Sequence, residues 1–225
     1  LEAVNSSTSL VTLMMAHCIN LKEVPAEVLA RAVCRLETVD LSNTRLTTHQ
    51  CVTMLDALLS SKTLKDLSLR CIYLSEVSED LLANAIYGLQ SINLRNAKLT
   101  TDQCIKILWA SLSSTTLTFL NLVAVNLSRV PGYLLARAVC QHQSVDLYRT
   151  RLKTDQCVAI LETSLSFTSM TTLSLRCISL SQVPAEVLAR AVHRLRSVDL
   201  HYTNLTTDQC VLLLESIQSS TKLST

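Results

Sequence analysis

The sequence predicts an α/β solenoid: a curved, horseshoe-like stack with a parallel sheet on its concave face and helices on its convex face. Three observations predict it. The ten residues from Val24 to Val33 recur letter for letter from Val183 to Val192, an offset of 159 residues, or three times 53. The triplets that begin at Val39, Ile92, Val145 and Val198 keep the same 53-residue beat. Thr-Asp-Gln-Cys ends at Cys104, Cys157 and Cys210, and Thr-His-Gln-Cys ends at Cys51. A period of this length marks stacked supersecondary units rather than one closed globule.

Each period holds two similar halves. The shorter opens with Leu64-x-x-Leu67-x-Leu69-x-x-Ile72-x-Leu74, the longer with Leu89-x-x-Ile92-x-Leu94-x-x-Ala97-x-Leu99. The alternating leucines read as a short strand buried on one side. A helix follows each strand. In the longer half, Thr100-x-x-Gln103 and Thr206-x-x-Gln209 have the form of capping boxes, and Cys51, Val52, Leu55, Leu58 and Leu59 fall on one helical face. In the shorter half, Pro25, Pro131 and Pro184 suit the first helical position, where a missing N–H costs nothing. Val28, Leu29, Ala32 and Val33 form its buried stripe, and Glu27–Arg31 and Glu186–Arg190 are i,i+4 pairs on its wet side. Helices are wider than strands, so such a stack bends. The expectation is a single domain over residues 1–225, with about eight strands in four double periods.

Composition narrows the chemistry. Hydrophobic residues make up 48% of the 225, ample for a continuous core, and the net charge of +2 is not that of a nucleic-acid binder. No apolar run reaches the length of a membrane span, and residues 1–5 do not resemble a signal peptide. Neither Gly88 nor Gly132 sits in a phosphate-cradling loop. The nine cysteines mostly fill repeated slots: Cys51, Cys104, Cys157 and Cys210 share one, Cys18, Cys71 and Cys177 a second, Cys34 and Cys140 a third. Same-slot thiols two strands apart are too distant to bridge, so most read as reduced core residues in a cytoplasmic or nuclear protein. Sequons at Asn5, Asn126 and Asn204 keep a secreted alternative open.

The Leu-x-x-Leu-x-Leu-x-x-x-x-Leu pattern with one helix per repeat resembles the leucine-rich repeat. Two alternating, cysteine-bearing repeat types look like its ribonuclease-inhibitor-like subclass, which also forms sensor ends of nucleotide-binding immune receptors. The resemblance covers nearly the whole chain. It implies fold more than function, since the subclass binds unrelated partners. The chain departs from the family in one slot. Thr44, Ile72, Ala97, Val125, Thr150, Ile178 and Thr203 stand where Asn or Cys usually bonds the turning backbone, and Cys71 and Cys177, one residue earlier, are candidates for that inward place. The first copy, Leu10–Leu21, also holds one extra residue.

Repeats act as their own comparison set. Slots that vary and point outward from the strands are free to carry recognition. One reads Asp40, Asn93, Asp146, Asp199; the next reads Ser42, Arg95, Tyr148, His201. A third reads Asn43, Asn96, Arg149, Tyr202, a fourth Arg45, Lys98, Arg151, Asn204, and the short halves add Arg70, Val123 and Arg176. The expected protein-binding face is therefore Asp40, Asn43, Arg45, Arg70, Arg95, Asn96, Asp146, Tyr148, Arg149, Arg176, Asp199, His201 and Tyr202. Tyr and Arg are enriched at interface hot spots. The acidic row would repel phosphates, and neither nucleic acid nor a small molecule is the expected ligand. No cofactor, metal or catalytic site is expected: no Cys-x-x-Cys or His-x-x-x-His spacing occurs. His17 and Cys18 are neighbours on a strand and point to opposite faces. Trp109 reads as partial core.

The expected function is a recognition scaffold for a protein partner rather than an enzyme. A GTPase-activating regulator and a purely structural receptor segment are the alternatives. Leu1–Val4 aligns with the helical Leu55–Leu58, and Ser219–Leu223 opens a repeat that does not finish. Solenoid ends need covers, so the chain reads as part of a longer array, with ends that a partner covers or that self-associate.

Overall fold

The structure, a computed structural model, describes residues 10–17 and 21–221. Leu1–Val4, Asn5, Cys18, Lys222 and Leu223 lie outside them. Two compact units divide between Val125 and Asn126. The first holds β1 (Thr12–Met14), a 3₁₀ turn (Leu21–Glu23), α1 (Ala26–Val33), β2 (Thr38–Asp40), α2 (Thr48–Leu58), β3 (Asp66–Ser68), α3 (Glu79–Tyr87), β4 (Ser91–Asn93), α4 (Thr101–Ser113) and β5 (Phe119–Asn121). The second holds α5 (Gly132–Cys140), β6 (Ser144–Asp146), α6 (Thr154–Ser164), β7 (Thr172–Ser174), α7 (Ala185–Arg194), β8 (Ser197–Asp199) and α8 (Thr207–Thr221).

All strand pairs are parallel and consecutive. The described residues form eight strands, as the periodicity predicts, but as a five-stranded sheet in the first unit and a three-stranded sheet in the second. Leu13, Val39, Leu67, Ile92 and Leu120 are in register in one, and Val145, Leu173 and Val198 in the other. These central residues point into the core. Leu41, Leu69 and Leu94 follow two positions later and are fully buried.

The buried face of α2 is Cys51, Met54, Leu55 and Leu58, while Val52 is half-buried and Leu59 exposed. The stripe is thus rotated by part of a turn from the sequence expectation, because Met54 completes an i, i+3, i+4, i+7 face. In α1, Leu29, Ala32 and Val33 are buried as expected, Val28 is only half-buried, and Ala26 and Ala30 complete the face. Pro25, Pro131 and Pro184 are N-caps rather than first helical residues, with ψ of 136°, 130° and 132°. Their extended backbone lets each carbonyl accept the first helical bond, from Leu29, Leu135 and Leu188 at 3.1–3.2 Å. Neither Glu27–Arg31 nor Glu186–Arg190 closes into an ion pair; Lys65–Glu37 and Lys106–Asp80 do. Trp109 is 44% exposed. The last helix, α8, runs through Ser219–Thr221, the residues expected to open a new repeat.

The Thr-x-x-Gln motif does more than cap. Gln50, Gln103, Gln156 and Gln209 are all buried. Each Oε1 accepts the backbone N–H three residues earlier at 2.8 Å, which is the capping bond. Each Nε2 also donates to two carbonyls of the preceding short half: Leu21 and Val24, Leu74 and Val77, Leu127 and Val130, Leu180 and Val183, at 2.6–2.8 Å. One amide therefore satisfies three buried backbone groups and ties each long half to its neighbour. The third copy begins with Lys153, which has no hydroxyl to accept from the helix; the other three use Thr47, Thr100 and Thr206.

The eight described cysteines are free. Cys51, Cys104, Cys140 and Cys157 are buried, and burial pushes their thiols up to about 12. Cys177 and Cys210 are exposed. Iodoacetamide at pH 8 is expected to label Cys177 and Cys210 in the native protein and to reach the four buried thiols only on unfolding, since the thiolate is the nucleophile. Peptide mass spectrometry checks this. Early labelling of Cys104 or Cys157 would contradict the packing described.

Candidate functional site

Each strand runs into a turn with a fixed plan. Four residues after the strand centre the backbone enters the left-handed region: His17, Asn43, Cys71, Asn96, Ala124, Arg149, Cys177 and Tyr202, with φ between 55° and 61°. The N–H groups of His17, Asn43, Cys71, Asn96 and Cys177 extend the ladder onto the next repeat at 2.8–3.1 Å. The following residue turns inward. Thr44, Ile72, Ala97, Val125, Thr150 and Ile178 each donate their N–H to the carbonyl three residues back at 2.9–3.2 Å. The hydroxyls of Thr44 and Thr150 add a second bond to that carbonyl, and the Thr203 hydroxyl donates to the Leu200 carbonyl. Backbone bonding therefore closes the turn without Asn or Cys in this slot. Cys71 and Cys177 do not take the inward place, because their left-handed backbone turns the side chain to the surface and Ile72 and Ile178 fill the core.

The acidic row also has a structural task. Asp40, Asn93, Asp146 and Asp199 each accept, through Oδ1, the backbone N–H two residues ahead at 2.8–3.1 Å. This side-chain turn stabilises the end of the strand. Asn121 does the same in β5.

The two units use their strand faces differently. In the first, several polar groups are engaged with one another. Ser42, expected to point outward, is buried with its hydroxyl 2.8 Å from that of Ser68. Asn43 Nδ2 lies 2.9 Å from His17 Nε2, and Asn96 Nδ2 donates to Cys71 Sγ at 3.3 Å. Asp40 and Arg70 are half-buried, and Arg45 and Arg95 are exposed.

In the second unit, charge and aromatic surface converge. The Tyr148 ring, half-buried, meets two guanidinium groups: Arg149 and Arg176 are each 5.0 Å from its centroid. Such cation–π contacts contribute about 0.5–1 kcal/mol each at exposed sites. Asp199 Oδ1 accepts from the His201 backbone N–H at 3.0 Å and meets His201 Nδ1. These His201 contacts, the backbone one first, hold the Asp199 carboxyl below the usual aspartate range. Tyr202 is 75% exposed, its ring 6.4 Å from that of His201. Asp146 and Arg149 are exposed at the same strand ends.

The left-handed slot distinguishes these copies. In the first unit two long halves place Asn there, a residue that tolerates this backbone. In the second they place Arg149 and Tyr202, which pay for it, at about 1–2 kcal/mol per residue. Strain of this kind concentrates where a side chain must be presented. Replacing Tyr202 by Asn is expected to raise stability by about 0.5–1 kcal/mol, read as a higher urea midpoint with an unchanged slope. A destabilised Tyr202→Asn protein would remove the strain argument.

Sequence reasoning missed the glutamine cross-links and the pairing of Tyr148 with Arg176. The invariant Gln of the 53-residue slot was the available signal for the first. Nothing local signals the second, because the partners stand 28 residues apart on neighbouring strands.

Stacked parallel strand–helix units, a left-handed residue at each strand end and an inward residue after it define a class of repeat architecture. A solved structure identifies it. A leucine-rich-repeat protein of Leptospira interrogans, LIC12759, is 15% identical, with 94% of this chain and 60% of that chain covered and a TM-score of 0.56. The leucine-rich-repeat protein LegL7 of Legionella pneumophila is 18% identical over 92% and 80%, with a TM-score of 0.48. The C-terminal domain of tropomodulin from Caenorhabditis elegans is 11% identical over 99% and 94%, with a TM-score of 0.35. No family model matches the sequence, and no curated protein is similar to it. The chain has the leucine-rich-repeat fold. It spans 60% of the length of the Leptospira chain. Among the described residues no helix is long and apolar enough to cross a membrane.

Proposed function

We propose that the chain is a recognition scaffold that binds a protein partner on the outward strand face of its second unit. The observation that carries this is the contact of the Tyr148 ring with both Arg149 and Arg176. It presents a large rigid surface with its cations already placed, so little side-chain freedom is lost on binding. Tyr202 and His201 extend the face, and Asp146 and Asp199 add negative charge beside it. A surface of mixed sign suits a partner with complementary polar patches. The first-unit residues Asp40, Asn43, Arg45, Arg70, Arg95 and Asn96 are candidate contacts on that unit's own strand face.

The setting we propose is the ribonuclease-inhibitor-like subclass, with the same alternating repeat types in both units. The 53-residue beat supports it, since it passes unbroken from Ile92 to Val145. A sensor end of an immune-type receptor is a setting in keeping with that subclass. The free thiols support a reducing, cytoplasmic environment. The role is binding rather than catalysis.

The test is Tyr148→Ala, Arg149→Ala and Tyr202→Ala combined. Immobilised wild type and variant are compared for the proteins they retain from a native extract, with circular dichroism confirming the fold. The variant is expected to lose a retained protein, since hot-spot truncations each cost about 2 kcal/mol or more. Identical retention by both would reject this face.

A further inference from the structure

Each 53-residue period restates the edge of the repeat where the helices begin, so its charge can be compared copy by copy. Glu23, Glu76 and Gln182 hold one slot; in the third copy it is Arg129. Glu27, Asp80 and Glu186 hold a second, where the third copy has Tyr133. The long helix starts from Thr47, Thr100 or Thr206, but in the third copy from Lys153. The left-handed slot is Arg149 there, and Arg151 keeps the cation of Arg45 and Lys98. The third copy thus has four cations and no acid in these five slots, whereas every other copy has at least one acid and at most one cation.

The fold gathers these residues within the second unit. Gln156 Nε2 donates to the Leu127 and Val130 carbonyls at 2.8 and 2.6 Å, which sets Arg129 beside the start of α6. The Leu127 N–H donates to the Thr150 carbonyl at 2.9 Å, between Arg149 and Arg151. A Cβ at Gly132 would lie 3.5 Å from the Gln156 Cα, so α5 and α6 start side by side. Arg129, Tyr133, Arg149, Arg151 and Lys153 are all exposed. None of the four cations has an ion-pair partner among the described residues. A second observation points to an anion. In the other copies the threonine hydroxyl accepts the N–H of Gln50, Gln103 or Gln209 at 3.2 Å. Lys153 makes no such bond to Gln156, and it adds positive charge at the positive end of a helix. A negatively charged oxygen brought from outside relieves both.

We propose that this edge binds an acidic segment of the partner protein, whose carboxylates pair with Arg129, Arg151 and Lys153 and accept the Gln156 N–H. This chemistry rests on the reading of the second unit as a protein-binding surface, which the edge joins through Arg149, 5.0 Å from the Tyr148 centroid. Separate carboxylates suit the edge better than a nucleic-acid backbone. Asp146, at the end of β6, and Asp155, in the first turn of α6, are exposed and would oppose a continuous row of phosphates. Four cations also fall short of a site making about 6–10 phosphate contacts. Tyr133, 62% exposed, adds aromatic surface for a peptide.

The test uses the full chain and a fluorescein-labelled peptide of alternating Glu and Ser, read by fluorescence anisotropy at low salt. The same peptide with Gln for Glu and a single-stranded oligonucleotide of equal length are compared with it. Two variants restore what the other copies carry: Lys153→Thr, and Arg129→Glu combined with Lys153→Thr. Tyr148, Arg149 and Tyr202 stay intact. The wild type is expected to prefer the Glu peptide to both others and to bind it less tightly as salt rises. The double variant is expected to bind it at least about tenfold more weakly, the sum of several exposed charge pairs. Lys153→Thr is expected to raise the urea midpoint by restoring the cap hydroxyl, so weaker binding would not reflect a weaker fold. Equal affinity of wild type and double variant overturns the proposal, as does tighter binding of the oligonucleotide. Absence of Glu-peptide binding, with partner retention still lost on replacing Tyr148, Arg149 and Tyr202, overturns the acidic segment and leaves the strand face standing.

Discussion

Gln103→Leu is expected to lower stability by about 3 kcal/mol. The leucine fills similar volume, so the loss is in hydrogen bonding. The Leu74 and Val77 carbonyls lose donors at 2.7 and 2.6 Å, and the Thr100 N–H loses its acceptor at 2.8 Å. Each stranded buried group costs about 1–3 kcal/mol, offset by the desolvation that the amide itself no longer pays. Gln103→Glu separates the two roles. It keeps an acceptor for Thr100 but turns a carboxylate toward two carbonyls, so at neutral pH it is expected to be at least as damaging. Urea unfolding provides the measurement, read as a lower midpoint at constant slope. A loss below about 0.5 kcal/mol, within the range of an ordinary surface change, would mean that the glutamine caps a helix and nothing more.

Leu94→Ala and Leu200→Ala form the second comparison. The two leucines occupy one slot, 106 residues apart, in strands of the same type. Leu94 is fully buried with a further strand beside it, whereas Leu200 is half-buried at the open side of β8. Leu94→Ala leaves a cavity that the packed neighbours cannot collapse, and about 3–4 kcal/mol is expected to be lost. Leu200→Ala removes a side chain already partly in water, so about 1 kcal/mol is expected. Equal losses would show that the slot, rather than its neighbour, sets the energetics.

The fold was legible because the repeats restate it. The strand centres at Val39, Leu67, Ile92, Val145, Leu173 and Val198 follow from a two-residue alternation recurring at a fixed beat. The capping boxes at Thr100 and Thr206 are four-residue signals that need no tertiary knowledge. Contacts between repeats were not legible. Gln103 reads as a local cap because its Nε2 acceptors, Leu74 and Val77, stand 29 and 26 residues back. The Asp40, Asp146 and Asp199 row reads as free acidic surface, because alternation places these residues outward and does not reveal bonds to the backbone two residues on. Met54 escaped because the face of α2 was set from Val52 and Leu59 outward. The prolines shifted by one position because ψ near 130° is invisible in sequence. For the site, Tyr148, Arg149 and Tyr202 were found as residue types; the stack that joins Tyr148 to Arg176 needed adjacent strands.

Native-state hydrogen exchange reads most directly whether each repeat is held by the one beside it. The Leu41, Leu69 and Leu94 N–H groups donate to a neighbouring strand, whereas the N–H of Leu200, which lines an open apolar groove, has no partner among the described residues. The first three are expected to exchange slowly and together, at least about a thousandfold below the free amide rate, as a cooperative unit does. Leu200 is expected to exchange close to the free rate. Protection of Leu200 equal to that of Leu94 would contradict the account, because shielding would then arise within a single repeat.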